Sequence, residues 1–302
     1  MDDVQYPVAS IVGDFHARYR IGRVRTRADL AAGDIFRRFR SIIYGYFKRY
    51  GRDLPWRRTA DPYHILVSEI MLQQTQVARV AQKFPEFITA FPTAKALASA
   101  SLDRVLSVWQ GMGYNRRARH LRDTARLLVE AHGGLVPDDR DMLASLPGIG
   151  PATAASILAF AFNRPTVFIE TNIRAVFIHF FFPKENAVSD SAILPLVEAA
   201  IDRRAPRRWY SALMDYGAML KRRFPNPSRV SDRHRRSKPF QGSMRQLRGM
   251  ILRALLERPG LTAGAIARLT GWGREDVVRA IEILGRDGLV ASRGGKVYLA
   301  ED

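Results

Sequence analysis

With 302 residues the chain can form one large domain and a smaller one, and 48 Lys and Arg against 29 Asp and Glu give it a net charge of +19. Such a charge calls for a polyanionic partner: nucleic acid, an anionic membrane surface or an acidic protein. The sequence contains no cysteine, which excludes disulfides, thiolate metal sites and cysteine-ligated iron–sulfur clusters, and its six histidines show no tight ligand spacing, so neither a metal nor another cofactor is expected.

The chain opens on Met1-Asp2-Asp3, which lacks the basic-then-apolar order of a secretory signal. Residues 1–30 show no clear period, and the Arg-rich stretch Arg18 to Arg27 reads as an arm lying on the body or on DNA. From Ile35 apolar residues recur at helical intervals (Ile35, Phe36, Phe39, Ile42, Ile43, Phe47) and predict the first firm helix of a domain spanning 31–222. Leu54-Pro55-Trp56 breaks that helix. Asp61-Pro62 starts the next, with Asp61 as N-cap and Pro62 at the first helical position.

Helices then follow one another through Phe182, separated by turns at Phe91-Pro92, Gly111 to Gly113, Gly133-Gly134 and Pro147 to Gly150, so the body is all-α. The Phe-rich stretch from Val176 to Pro183 is too short to span a bilayer, and Val188 to Ile201 carries Asp190 and Glu198. No membrane association is expected; the chain reads as a cytoplasmic, nucleoid-associated protein. Residues 223–242, rich in Arg, Pro and Ser, read as a basic linker. Helical patterns at Met244 to Leu256, Leu261 to Leu269 and Arg274 to Leu284, followed by two short strands around Arg293-Gly294-Gly295-Lys296, predict a small α+β winged-helix domain over 243–302.

The segment Leu146-Pro147-Gly148-Ile149-Gly150-Pro151-Ala152-Thr153-Ala154 lies between two amphipathic helices. Its glycines permit tight turns, Pro151 suits a first helical position, and free amides at the helix start suit a phosphate. An ordinary helix–turn–helix connection, which also favours Gly and Pro, is the competing interpretation.

This segment resembles the hairpin of the helix–hairpin–helix DNA glycosylases, the superfamily of endonuclease III and the MutY-type adenine glycosylases. Four further segments resemble the MutY branch in its own order: Leu54-Pro55-Trp56 with Asp61-Pro62-Tyr63; Ser68-Glu69-Ile70-Met71-Leu72-Gln73-Gln74-Thr75-Gln76-Val77; Trp109-Gln110-Gly111-Met112-Gly113-Tyr114; and Glu170-Thr171-Asn172-Ile173-Arg174-Ala175-Val176. The resemblance covers about residues 35–220. It implies two helical subdomains flanking a DNA cleft, and extrusion of a base from duplex DNA followed by hydrolysis of its bond to the sugar.

That reaction needs a proton for the departing base and negative charge near a sugar of oxocarbenium character. By resemblance Glu69 is the acid; its apolar neighbours Ile65, Leu66, Ile70 and Leu72 suggest partial burial that would raise its pKa. Glu170 is the second carboxylate, although an acid at a helix start also reads as a simple N-cap. The family usually has Asp at that position. Asn172 matches the family's neighbouring Asn, expected to orient the carboxylate, the sugar or the water.

Gln73, Gln74 and Thr75 match the loop that fills the space left by the extruded base, and Met112 and Tyr114 match the wedge on the opposite strand. A solvated loop and a core aromatic are the plain alternatives. Arg116, Arg117 and Arg119 read as a solvated face touching phosphates, and Asn115 replaces the second Tyr of a common family pair. Gly148, Ile149, Gly150, Ala152 and Thr153 are the expected hairpin contacts to DNA. Ala152 stands where strand-cleaving relatives carry a nucleophilic Lys, which implies a monofunctional enzyme. Lys221-Arg222-Arg223 stands where the family's first cluster-ligating Cys is expected, and the winged helix replaces its usual nudix-like domain.

The expected function is therefore base excision of adenine opposite 8-oxoguanine or guanine, by a monomer acting on double-stranded DNA with a mismatched or damaged base. The alternatives are excision of mismatched thymine or uracil or of a modified pyrimidine, and a non-catalytic winged-helix regulator.

Overall fold

The computed structural model describes residues 6–19, 21, 34–232 and 239–301. Fifteen α-helices and one strand pair occur among them. The chain divides into two compact units, each assembled from two separate stretches: 1–54 with 151–236, and 55–150 with 237–302.

The first unit contains α1 (Val8–Tyr19), α2 (Ile35–Tyr50), α9 (Pro151–Phe162), α10 (Thr171–Phe181), α11 (Asp190–Ala200) and α12 (Pro206–Arg223). The helix α1 was not expected from sequence. It exists because Val8, Val12 and Phe15, at helical spacing, bury one face against this unit's core. Most of the basic arm beyond it lies outside the described residues. The core is dense in aromatic rings: Phe39 of α2 makes edge-on contacts with Phe177, Phe180 and Trp209 at centroid distances of 5.3, 5.0 and 5.8 Å. Asp215 on α12, 2% exposed, is held by the backbone N–H of Arg52 at 2.8 Å and by its Nε at 2.7 Å, which ties the chain after α2 to α12.

The start of the expected 223–242 linker is packed. A 3-10 turn at Pro227–Val230 buries Ser228, and the Val188 N–H donates to the Val230 carbonyl at 2.9 Å. Residues 233–238 lie outside the described part.

The second unit contains α3 (Pro62–Leu72), α4 (Val77–Ala90), α5 (Ala94–Ala98), α6 (Leu102–Trp109), α7 (Arg116–His132) and α8 (Arg140–Ser145), then α13 (Met244–Glu257), α14 (Ala263–Thr270), α15 (Arg274–Arg286) and the strands β1 (Val290–Arg293) and β2 (Lys296–Leu299). Asp61 caps α3 as expected, accepting from the His64 N–H at 3.0 Å, and Pro62 opens the helix. The last three helices and the antiparallel pair, in register Val290↔Leu299 to Arg293↔Lys296, form the winged helix. Its core is built from Leu247, Ile251, Leu255, Ile266, Val277 and Leu284. No helix among the described residues is long and apolar enough to cross a membrane.

Candidate active site and nucleic-acid interface

In the second unit, three of the sequence segments are drawn together by one face of α7. Arg117 is 9% exposed, and its guanidinium donates to the carbonyls of Ile70 at 2.8 Å, Met71 at 2.9 Å and Gly113 at 3.2 Å, to Thr75 Oγ1 at 2.8 Å, and to the Gln73 carbonyl. The last carbonyls of a helix have no partner within it, so a cation there both satisfies them and meets the negative end of the helix dipole. Arg117 thus closes the C-terminal end of α3, the helix that carries Glu69. Burial lowers the Arg117 pKa to about 10, so the group stays charged at neutral pH.

One and two turns further along α7, the His120 ring lies against Gly148 and the Thr124 hydroxyl donates to the Pro147 carbonyl at 3.0 Å. Burial, and then Arg116, hold the His120 pKa below its ordinary value. Gln73 Nε2 completes the assembly by donating to the Gly148 carbonyl at 3.1 Å. The 73–75 loop, the 112–114 loop and the hairpin turn are therefore neighbours. The expectation that Arg117 belongs to a solvated face is corrected: it is the buried tie between them, while Arg116 is exposed.

Glu69 is half-buried on α3 between the buried Ser68 and Ile70. Gln74 and Tyr114 both hold left-handed backbone conformations, with φ of +54° and +49°, uncommon for residues with side chains. Tyr114 is half-buried and Met112 is 2% exposed, so of the expected wedge pair only Tyr114 has its ring near the surface. In the hairpin, the Ile149 N–H donates to the Leu146 carbonyl at 3.1 Å and its side chain is 4% exposed. The Ile149 amide and side chain are thus both engaged within the turn. Gly148 and Gly150 are exposed.

In the first unit, Ala152 is exposed and Thr153 half-buried in the first turn of α9. Glu170 caps α10: Oε1 accepts from the N–H groups of Asn172 at 2.7 Å and Ile173 at 2.8 Å, while Oε2 accepts from Asn172 Nδ2 at 3.1 Å. The N-cap interpretation of Glu170 is thus correct as structure, and the Asn172 amide is bonded to its carboxylate. Gly217 of α12 packs directly on Asn172, and a Cβ at 217 would overlap the Asn172 carbonyl. One turn beyond Gly217 stands the half-buried Lys221, whose pKa is lowered by burial; Glu170 opposes the shift and Arg52 adds to it.

No local pattern in the sequence points to the packing of Gly217 and Lys221 beside the Glu170 cap. Here Arg223 donates to the Tyr6 carbonyl at 2.8 Å, so ammonium and guanidinium groups occupy the end of α12 where the family's cluster would begin. These donors do not fit an iron–sulfur cluster.

Residues 67–194 match the HhH-GPD superfamily of base excision DNA repair proteins. An adenine DNA glycosylase of Mycobacterium tuberculosis is 34% identical, over 82% of this chain and 88% of its own. The human adenine DNA glycosylase is 36% identical over 60% of this chain and 36% of its own. A thermostable thymine-DNA glycosylase superimposes with a TM-score of 0.55 at 27% identity, covering 61% of this chain and 86% of that one. The chain belongs to the adenine DNA glycosylases of the HhH-GPD superfamily, with the helix–hairpin–helix fold followed by a winged-helix domain.

Proposed function

We propose that the protein removes adenine from duplex DNA where it faces 8-oxoguanine or guanine, by hydrolysis and without cutting the strand. The observation that carries this reading is the Arg117 tie, which holds the end of the Glu69 helix, the 73–75 loop and the Tyr114 loop as one assembly. Glu69 supplies the proton that lets the base depart and then accepts one from the attacking water. Glu170, fixed by three N–H donors, places negative charge for the oxocarbenium-like sugar. Gln73, Gln74 and Thr75 fill the vacated stack, Tyr114 presses on the opposite strand, and the turn at the exposed Gly148 and Gly150 takes a phosphate. Adenine is the base named for the relatives. A second reading, thymine opposite guanine, is favoured by the thymine-DNA glycosylase superposition.

The test uses duplexes carrying A opposite 8-oxoguanine, A opposite G, T opposite G and U opposite G, with abasic sites revealed by alkali. Cleavage at the A-containing duplexes supports the reading, and cleavage confined to T or U replaces it. Scission before alkali contradicts the hydrolytic assignment and the argument from Ala152. Glu69→Gln should bind DNA and lose excision; full activity would remove Glu69 from its role.

A further inference from the structure

We propose that the C-terminal winged-helix domain is a positioning part of the base-extrusion apparatus, acting on Tyr114 through Arg245. This rests on the reading of Tyr114 as the wedge. Arg245, in the first turn of α13, donates a hydrogen bond to the Tyr114 hydroxyl across 131 residues of sequence, and its guanidinium carbon lies 5.3 Å from the Tyr114 ring centroid. Arg117 lies 5.4 Å from the same ring. The wedge ring therefore has two cationic neighbours, one from its own loop's anchor and one from the C-terminal domain. A tyrosine at φ +49° whose ring is braced by these contacts reaches the DNA already ordered, so the ordering cost is met before binding.

Arg245 also lies 5.6 Å from the ring of Phe240, which is 57% exposed. The row Phe240, Arg245, Tyr114 thus ends in an open aromatic face with a cation beside it, a chemistry that suits a nucleobase and its phosphate.

The domain is fastened to α7 just beyond the wedge loop. The Asp287 carboxylate pairs with Arg116 at 3.4 Å and Arg248 at 3.3 Å, and its backbone carbonyl accepts from Arg119 at 2.9 Å. Gly288, at φ +65°, leaves the space in which the Arg119 guanidinium lies; a Cβ there would displace it. The outward face of α15, by contrast, alternates Arg274 and Arg279 with Glu275 and Glu282, and Arg279 is 3.8 Å from Asp276. A helix reading a DNA groove gains from cations that are not balanced in this way. The domain's contribution to DNA therefore lies at the Arg245 end and not at α15.

The experiment compares full-length Arg245→Ala, Arg245→Lys, Tyr114→Ala and the Ala/Ala double variant on an A opposite 8-oxoguanine duplex. It reads excision at saturating enzyme, base extrusion by 2-aminopurine fluorescence next to the target, and affinity for an undamaged duplex. Arg245→Ala should slow excision about 10-fold and weaken the extrusion signal, with affinity for undamaged duplex changed less than about 2-fold. Arg245→Lys, which keeps the charge but not the planar stacking group, should fall between. The double variant should be no slower than Tyr114→Ala.

A loss confined to affinity, or additive losses in the double variant, would make Arg245 an independent phosphate contact and overturn the inference. Unchanged behaviour of Arg245→Ala alongside an impaired Tyr114→Ala would overturn it while sparing the wedge. Unchanged behaviour of Tyr114→Ala would instead sink the wedge reading itself.

Discussion

Glu170 and Arg117 each satisfy backbone groups at a helix end, but over very different spans of chain. Glu170 reaches residues two and three positions ahead and completes the start of its own helix. Arg117 reaches back 42 to 47 residues to the end of a different helix and to the loop beyond it. The first arrangement is local and can be rebuilt by any good capping residue. The second has no local substitute, because several carbonyls from two segments converge on one planar cation. The Glu170 carboxylate thus rests on short-range chemistry, whereas the arrangement of the 73–75 and 112–114 loops rests on tertiary packing.

The comparison breaks most clearly at Arg117. Arg117→Ala should cost about 3 kcal/mol, because the buried carbonyls lose their donor and water cannot easily replace it. Chemical unfolding would measure this. Excision should fall with it, and Arg117→Lys should restore only part, since an ammonium lacks the planar fork. A variant melting within a degree of the parent would mean the tie contributes nothing.

Gly217 sharpens the contrast from the other unit. Replacing a helix-interior Gly by Ala ordinarily gains up to about 1 kcal/mol. Gly217→Ala should instead lose about 2 kcal/mol, because the new methyl meets the Asn172 backbone, which cannot yield without disturbing the Glu170 cap. A stabilised variant in urea denaturation would show that the approach of α12 to Asn172 is not tight.

Acid should separate the two regions. His179, on α10, is pushed down to about 4 chiefly by burial, with His16 adding to the shift, and its Nε2 has no hydrogen-bond partner among the described residues. The fold favours the neutral ring, so this contribution is complete above the unfolded value near 6.5 and is lost as pH falls towards 4, on the order of 2 kcal/mol across that window. Arg117 does not titrate there. Hydrogen exchange between pH 6.5 and 4 should therefore rise more in α10 than in α7, and His179→Phe should flatten the difference; equal rises would contradict it.

The smallest stability effect belongs to Glu170→Asp. Asp is at least as good an N-cap as Glu, so stability should change by less than about 0.5 kcal/mol. The excision rate should nevertheless drop, because the charge retreats by one methylene from where this protein places it. Single-turnover rates would check this, and an unchanged rate would leave Glu170 a cap and nothing more.

Most of the architecture was legible because it is written at short range. The Asp61-Pro62 start, the Pro151–Phe162 helix after the hairpin and the α13 to β2 order all appeared where local pattern placed them. Arg117 is hidden in the run Arg116-Arg117-Ala118-Arg119, which looks solvated. A usable signal was present: Arg117 lines up with Leu121, Thr124 and Leu128 on the buried stripe of α7, and a cation on an apolar stripe calls for buried acceptors. The helix α1 carried a similar pattern in Val8, Val12 and Phe15, obscured by Gly13 and the absence of a clear cap. No local signal joins Arg245 to Tyr114, since the pair exists only after the C-terminal domain has docked on α7.

The pairing of distant stretches within each unit also constrains the order in which the protein takes shape on the ribosome. Residues 55–150 can collapse as they emerge, while 1–54 must wait for 151–236 before Phe39 finds Phe177 and Trp209. The first helices made are among the last buried. Nascent chains halted before residue 151 should expose α2 to protease, and those extended past residue 236 should protect it.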